Sequence, residues 1–405
     1  MLNIGGNHKK TMNKFVQIWF KEIKHLLGDG GTIMLFFIAI IIYPVIYSLA
    51  YNNELAKDVP IAIVDENKSD LSRKVIQMID ATDEVEVKYH LSDFHTAKEL
   101  FDKGEIYGIV HILDDFNKKI LRFETAHISV YADAAYMVIY KQILTAANYA
   151  IGTMSAGIEI QRRMAQGQPL EIAYYERDPL PLRTFSLYNP HGGYGTYVLP
   201  AVLLLILQQT LLLGIGLLGG TSNEKGLANY LVSVGVKKRG SATIVLAKSL
   251  AYFTVYIVNF IFVFVIIFRL FSIPMRGDYL DVIIFVIPFL LAVIFMGMSI
   301  ASLFKSRESS MMILLFTSIP FIFLSGFSWP VAAMPQWQQY LAEIIPSTPG
   351  IKGVIALTQK GVGFHDVFYY WQHLWALAIV YFIIAFIFMK RSIVNARKAY
   401  PNLDS

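Results

Sequence analysis

The sequence predicts an α-helical polytopic membrane protein of six transmembrane helices, with an α/β extracytoplasmic domain inserted after the first. Three observations predict it. Of the 405 residues, 55% are hydrophobic and 16% are charged, whereas about 25% of the residues in soluble domains are charged. Six runs are apolar for about the 20 helical residues that a bilayer core takes. The basic residues are also divided unevenly among the short connections, as they are across a membrane.

The six runs are Ile33–Tyr51, Val198–Gly220, Ala242–Phe268, Leu280–Phe304, Met311–Trp329 and Val367–Met389. A long polar leader precedes the first, and no small-residue cleavage site follows it. It therefore reads as an uncleaved anchor at 33–51 and not as a secretory signal. Fifteen Lys and Arg fall on one side, in the leader (Lys9 to Lys24), at Lys225 and Lys237 to Arg239, at Lys305 and Arg307, and from Lys390 to Lys398. The opposite connections carry four: Arg269, Arg276, Lys352 and Lys360. Cytoplasmic loops hold the excess, so both termini, including the tail 390–405, are expected in the cytoplasm.

Residues 1–32 read as a cytoplasmic leader and an amphipathic helix. Phe15, Ile18, Trp19, Ile23, Leu26 and Leu27 recur at helical spacing, with Lys14, Lys21 and Lys24 elsewhere around the axis. Such a helix lies along the inner leaflet. Met12 stands close before it, so residues 1–11 read as a weakly structured leader or an overlong start.

Residues 52–190 follow a soluble plan. "VPIAIVD", "EVEVKYH", "IYGIVHI" and "HISVYAD" are short β-rich runs. Helices are expected between them at Ser69–Asp80, Asp93–Lys103 and Asp114–Leu121, with Ser69, Asp93 and Asp114 as N-caps. Alternating strands and helices make a small α/β domain. A long helix then follows, with Ile143, Ala147, Ile151, Met154 and Ile158 on one stripe. Because the first span leaves the cytoplasm, this domain is expected outside, as a partner-binding or gating element or as a rigid lid packed on a dimer mate. "DENKSDLSR" invites a metal or phosphate reading, but a strand-to-helix turn capped by Ser69 or Asp70 explains it more simply.

Several chemistries are excluded or disfavoured. The chain has no cysteine, which removes disulfides, thiolate catalysis and zinc–cysteine sites. It lacks the phosphate loop G-x-x-x-x-G-K-[ST], H-E-x-x-H and G-x-S-x-G, so it does not look equipped to hydrolyse ATP itself or to act as a standard protease or esterase. "GIGLLG" (Gly214 to Gly219) matches the dinucleotide fingerprint. It lies inside an apolar span, where small residues for close helix packing are the better explanation.

Ionisable residues at bilayer depth, which coupled carriers usually need, are nearly missing. Lys248 sits near the cytoplasmic end of the third span and is expected to snorkel there. Gln208, Gln209 and Asn259 are mid-span and read as bridges between helices. His365 and His373 read as interfacial histidines and not as metal ligands.

Between the second and third spans, "TSNEKGLANYLVSVGVKKRG" suggests a short cytoplasmic helix over 222–235. Leu227, Leu231 and Val234 form its apolar stripe, and Glu224 is placed in its first turn, where the helix dipole favours it. Gly235 ends the helix before the basic Lys237–Arg239. It reads either as a lever or as a helix lying on lipid headgroups. Between the fifth and sixth spans, "FLSGFSWPVAAMPQWQQYLAEIIPSTPG" breaks a hydrophobic run with prolines and glycines.

These two regions together resemble the permease subunit of bacterial type-two ABC exporters. That family's cytoplasmic loop runs E-[KR]-E-x-G-T-x-E-x-L-x-x-x-P. Here Asn223, Glu224, Lys225, Gly226, Leu227, Tyr230 and Leu231 occupy the matching positions, with Leu227 where the family has Thr and no acid just before Leu231. In the second region Ser325, Gly326, Pro330, Met334, Pro335, Trp337 and Pro346 match the family's F-L-[SA]-G-x-x-[FW]-P-x-x-x-M-P-x-W signature and the proline beyond it. The inserted domain is similar to that of the subgroup with a large outer domain between the first two spans.

The resemblance implies a translocator and not a stand-alone enzyme. ATP and Mg would bind a separate cytoplasmic ABC ATPase, contacted through Glu224, Lys225, Gly226, Leu227 and Leu231, with no cofactor on this chain. The amphipathic helix with Phe15, Trp19, Ile23 and Leu27 would move with that contact. Segment 330–350 would be a pair of short re-entrant helices within the membrane region 191–389. Gly326, Phe327, Trp329, Pro330, Met334, Pro335 and Trp337 would form an outer gate. The implied partners are ATPase chains, a second copy or a paralogous permease, membrane lipid and a periplasmic adaptor; no nucleic-acid partner is expected. The implied setting is a bacterial inner membrane, and the cargo is a drug, lipid or lipid-linked compound. The rival expectation is a membrane-anchored receptor whose outer domain binds a ligand without transport.

Overall fold

A computed structural model of the chain describes residues 5–178, 180, 184–190, 192–226 and 240–399, with side chains between 14 and 395. The chain divides into two compact units, one formed by residues 1–52 together with 187–405 and the other by Asn53–Ser186.

In the first unit, helix α1 (Gly5–Gly28) leads to the first span, α2 (Gly30–Ala50). On α1, Ile18 and Leu26 are buried, while Phe15, Trp19 and Ile23 are half-buried. Ile18 packs with Ile244, Ala247 and Ile393. The helix thus leans on protein as well as offering an apolar face. Leu27 is 55% exposed, and the buried row at four-residue spacing is Ile18, Glu22, Leu26. Residues four apart stack on one helix face, so the row that meets protein passes through a carboxylate.

The second unit begins with β1 (Val59–Asp65), α3 (Asp70–Asp80) and β2 (Val85–Leu91). It continues through α4 (Phe94–Asp102), β3 (Gly108–Ile112), α5 (Phe116–Leu121) and β4 (Ile128–Ala132). The sheet order is β2-β1-β3-β4, with β1 parallel to both neighbours and β4 antiparallel to β3. Val59, Ile61 and Ile63 face Val75, Ile76 and Ile79 of α3, whereas Ala62 and Val64 face Ala97 of α4. A central strand covered on both faces needs an unbroken apolar run, which "IAIV" supplies.

The long helix α6 (Met137–Ala165) closes the first of those faces with Ile143, Ala146, Ala150 and Met154, and α7 (Leu170–Arg177) follows it. Ser69 makes a capping box with Ser72, and Asp65 accepts from the amides of Asn67 and Lys68. "DENKSDLSR" is therefore a self-satisfied turn. Asp93 caps as expected. The third cap is not Asp114 but Asp115, which makes no side-chain cap bond.

The remaining spans are α8 (Tyr194–Glu224), α9 (Ser241–Leu270), α10 (Tyr279–Ala301), α11 (Arg307–Leu324) and, after the short α12 (Gln336–Glu343) and α13 (Ser347–Ile355), α14 (Phe364–Ala399). Six described helices are thus long and apolar enough to cross a membrane. Buried residues make up 83% of the apolar window of α8 and 72% of that of α10, but 17% of that of α11. The first two are the core of the bundle.

The α8 glycines explain how its neighbours come so close. A Cβ on Gly214 would stand 1.9 Å from the Phe36 ring of α2, and one on Gly220 would stand 2.6 Å from the Ser306 carbonyl oxygen. Small residues at such crossings let helices approach within a membrane, so the "GIGLLG" run serves packing.

Candidate functional site

Two clusters gather at the helix ends rich in Lys and Arg. In the first, α8 runs on through Glu224, Lys225 caps it and Gly226 turns left-handed at φ +81. The expected helix over 222–235 is corrected at its start: residues 222–224 close α8. Glu224 lies in the last turn of that helix, where the dipole disfavours a carboxylate, and not in a first turn. A different helix compensates. Glu224 Oε2 accepts from the Arg307 amide at 3.3 Å, at the N-terminus of α11, where negative charge is favoured. Leu227 and Leu231, with Tyr230, lie outside the described residues.

The Arg307 side chain completes this cluster. Nη1 and Nη2 lie 2.5 and 3.1 Å from Asp29 Oδ2 and Oδ1, a two-pronged pair, and Nη1 also donates to Thr221 Oγ1 at 3.1 Å. Asp29 is itself the N-cap of α2, accepting from the Thr32 amide at 2.8 Å. Arg307 thereby ties the start of α2, the end of α8 and the start of α11. Its hydrogen bond holds the Asp29 carboxyl down at about 2, against the opposing pull of partial burial.

In the second cluster, Lys248 does not snorkel. It is buried, with Nζ 3.1 Å from Glu22 Oε1, and the Glu22 side chain is fully buried. Tyr252 Oη donates to the same carboxylate oxygen. The ammonium finds its counter-ion on α1, nearer than water, because α1 packs along the beginning of α9. An ion pair of this kind holds two helices in register.

At the other end of α11, the run expected to reach Trp329 stops at Leu324. Gly326 has φ +79, and a Cβ there would meet Val331 Cγ2 at 2.4 Å. Both constraints select glycine. Pro330 precedes a single tight turn, Val331–Ala333, and Pro335 caps α12. Met334, which is buried, lines a groove of about 420 Å³ with the exposed Trp329 and Trp337. Phe327 is not in that groove. It packs on Tyr197 of α8, whose hydroxyl donates to the Phe327 carbonyl at 2.6 Å. The seven expected gate residues therefore fall in one segment but divide between two neighbours. Gly326→Ala should lower unfolding stability by about 1–2 kcal/mol, since alanine is strained at positive φ. A thermal-unfolding comparison in detergent checks this, and an unchanged midpoint would contradict it.

The mid-span amides bridge helices as expected. Gln208 donates to Ser347 Oγ at 3.1 Å, and Gln209 to the Leu314 carbonyl at 2.6 Å. Asn259 donates to the Phe36 carbonyl at 2.8 Å, inside a π-helical turn of α2 over Met34–Ile38. Such a turn widens the backbone ladder and lets a side chain take a carbonyl.

Glu22, Asp29, Thr221 and Arg307 were not singled out by sequence reasoning. One signal was present: Glu22 interrupts an apolar i, i+4 row. A buried carboxylate needs a cation, and Lys248 is the basic residue inside the third span. Asp29 and Arg307 look like ordinary charges flanking spans, and only packing pairs them.

Six described helices long and apolar enough to cross a membrane, with ion pairs joining helices at one end, define a polytopic helical membrane protein. The chain belongs to the ABC-2 transporter family, whose description, ABC-2 family transporter protein, matches residues 31–387. It is 22% identical over 369 residues to the probable multidrug ABC transporter permease YbhR of Escherichia coli (strain K12), covering 90% of this chain and 95% of that one. It is 22% identical over 395 residues to the inner membrane transport permease YhhJ of the same strain, covering 95% and 99%. ABC transporter G family member 20 of Dictyostelium discoideum is 20% identical over 305 residues, covering 74% of this chain and 40% of that protein. As a permease of this family the chain is a transmembrane translocator subunit, not itself catalytic, and a partner ABC ATPase hydrolyses the ATP.

Proposed function

We propose that this chain is the permease of an exporter that moves a hydrophobic or amphipathic compound out of the cytoplasm or inner leaflet. It sits in an inner membrane with both termini cytoplasmic, as one half of a homodimer or of a heterodimer with a paralogue. ATP and Mg bind the partner ATPase. That ATPase docks near Glu224, Lys225 and Gly226, and on Leu227 and Leu231 beyond them. The unit Asn53–Ser186 is an α/β domain on the outer face, the place for a periplasmic adaptor.

The observation that carries this reading is the placement of α11. Arg307, at one end, holds Asp29 and meets the Glu224 carboxylate through its amide. At the other end the same helix breaks at Gly326 and leads into the segment of Trp329, Pro330, Met334, Pro335 and Trp337. α11 is built of two helical pieces, Arg307–Phe316 and Ser318–Leu324, joined at Thr317, and a helix shared by two sites is a route by which a push at one displaces the other. Movement of the ATPase against Glu224 thus tilts α11 and opens the outer segment, while α1, with Phe15, Trp19 and Ile23, follows α9. An uncharged or amphipathic cargo is in keeping with the likeness to YbhR, a probable multidrug ABC transporter permease.

The test is co-reconstitution of the chain with its ATPase in vesicles. Glu224→Lys, which inverts charge at the α11 N-terminus, should leave the complex assembled and ATP hydrolysis running while export falls at least about tenfold, a change of about 1.4 kcal/mol in coupling. Retention of wild-type export by a well-assembled Glu224→Lys complex would sink the coupling role. Ligand binding to the outer unit with no dependence on the ATPase would favour the receptor reading.

A further inference from the structure

A cavity of about 240 Å³ opens between α8, α9, α10 and α14 at the basic end of the bundle. Its inner wall is apolar, formed by Ile215, Met298 and Phe388, whereas Lys248, Ser302, Arg391 and Asn395 stand among its polar lining. Arg391 and Asn395 also belong to a shallow groove that continues over α14 past Phe386, Ile387 and Val394. Among the described residues no acidic side chain lines the cavity or the groove. Glu22 meets Lys248 from α1, so the exposed cations beside the opening are Arg391, at the rim shared by cavity and groove, and Lys390, which lines the groove next to it.

The two parts ask for different chemistry. A small soluble anion has no use for the apolar wall, and an uncharged or zwitterionic amphiphile leaves Arg391 without a net counter-charge. A guanidinium with hydroxyl and amide donors nearby suits a phosphate oxygen. Apolar surface running outward along a membrane helix suits an acyl chain. The site also lies where Lys305, Arg307, Lys390 and Arg391 mark one bilayer surface.

We propose that this cavity and groove form a binding site for a phospholipid of net negative charge. Its phosphodiester lies against Arg391 and Asn395, and one acyl chain lies along α14. Placing the site in the inner leaflet rests on the topology proposed above; the site itself does not. A lipid seated there bridges α14 to the α9 residue that holds α1, so it stabilises the arrangement of the basic end.

The experiment is native mass spectrometry of the full-length chain in mild detergent, titrated with dioleoyl phosphatidylglycerol, dioleoyl phosphatidylcholine or inorganic phosphate. Phosphatidylglycerol should bind about tenfold more tightly than phosphatidylcholine, whose phosphodiester is the same but whose choline cation is repelled by Arg391 and Lys390. Arg391→Ala and Asn395→Asp, both exposed positions, should each remove most of that preference, and Arg391→Lys should keep part of it. Excess phosphate should leave bound lipid in place. Equal binding of the two lipids, variants that bind like the parent despite an unchanged unfolding midpoint, or displacement of the lipid by phosphate would each overturn the proposal. No ATPase is present in this measurement, so its failure is separable from a failure of the coupling reading.

Discussion

Lys248→Met will lower the unfolding stability of this permease by about 3–5 kcal/mol, the size expected when one member of a buried ion pair is removed. The Glu22 side chain is fully buried, and Lys248 Nζ stands 3.1 Å from it. The variant keeps the length of the lysine stem but removes the cation, leaving the carboxylate with the Tyr252 hydroxyl as its named donor. A buried carboxylate that loses its counter-ion is costly to keep charged. Tryptophan fluorescence during thermal unfolding in detergent reads the change. The double variant Glu22→Gln with Lys248→Met should recover much of the loss, because it removes both charges together. A single variant within about 0.5 kcal/mol of the parent, the ordinary range of surface substitutions, would show that the pair does not hold α1 to α9.

The second large effect is expected at Arg307. Arg307→Ala removes two hydrogen bonds to Asp29 and one to Thr221, and charge-assisted bonds contribute about 1.5–3 kcal/mol each before solvent screening. Both partners keep some exposure, Arg307 at 35% and Asp29 at 17%, so the stability loss should fall toward the lower figure. On the proposed coupling, the larger loss should be in transport, at least about tenfold with the ATPase still running, because the tie from α11 to α2 and α8 is cut.

A pH measurement separates the two roles. The Asp29 carboxyl is held at about 2, below its ordinary 3.8, chiefly by the Arg307 hydrogen bond. A depressed carboxylate stabilises the fold fully above its unfolded pKa, and that contribution fades as pH falls through the folded value. The parent should therefore lose stability between about pH 4 and about pH 2, and Asp29→Asn should show a flatter profile over that window. Equal slopes would mean that the pair adds nothing to stability.

The secondary structure was legible because its signals are local. The apolar runs located all six spans, and the β-rich run "VPIAIVD" matched β1 to its ends. The errors are instructive for the same reason. Residues 222–224 look like the start of a polar loop helix, yet the backbone ladder of α8 carries on to Glu224 because nothing before Gly226 supplies a positive-φ turn. The fifth run looked apolar to Trp329, yet Gly326 ends the helix early.

By itself the sequence determined how many helices are long and apolar enough to cross a bilayer, which unit folds around a sheet, and that this chain brings no nucleotide-hydrolysing motif. These follow from periodicity and composition, which need only neighbours a few residues apart. Only the tertiary structure decided which charges meet. Glu22 finds Lys248 and Asp29 finds Arg307 across more than two hundred residues, the first because α1 packs on α9, the second where the glycines of α8 let α2 and α11 come close. Pairing of that kind depends on the order in which helices pack, and no window along the chain contains it.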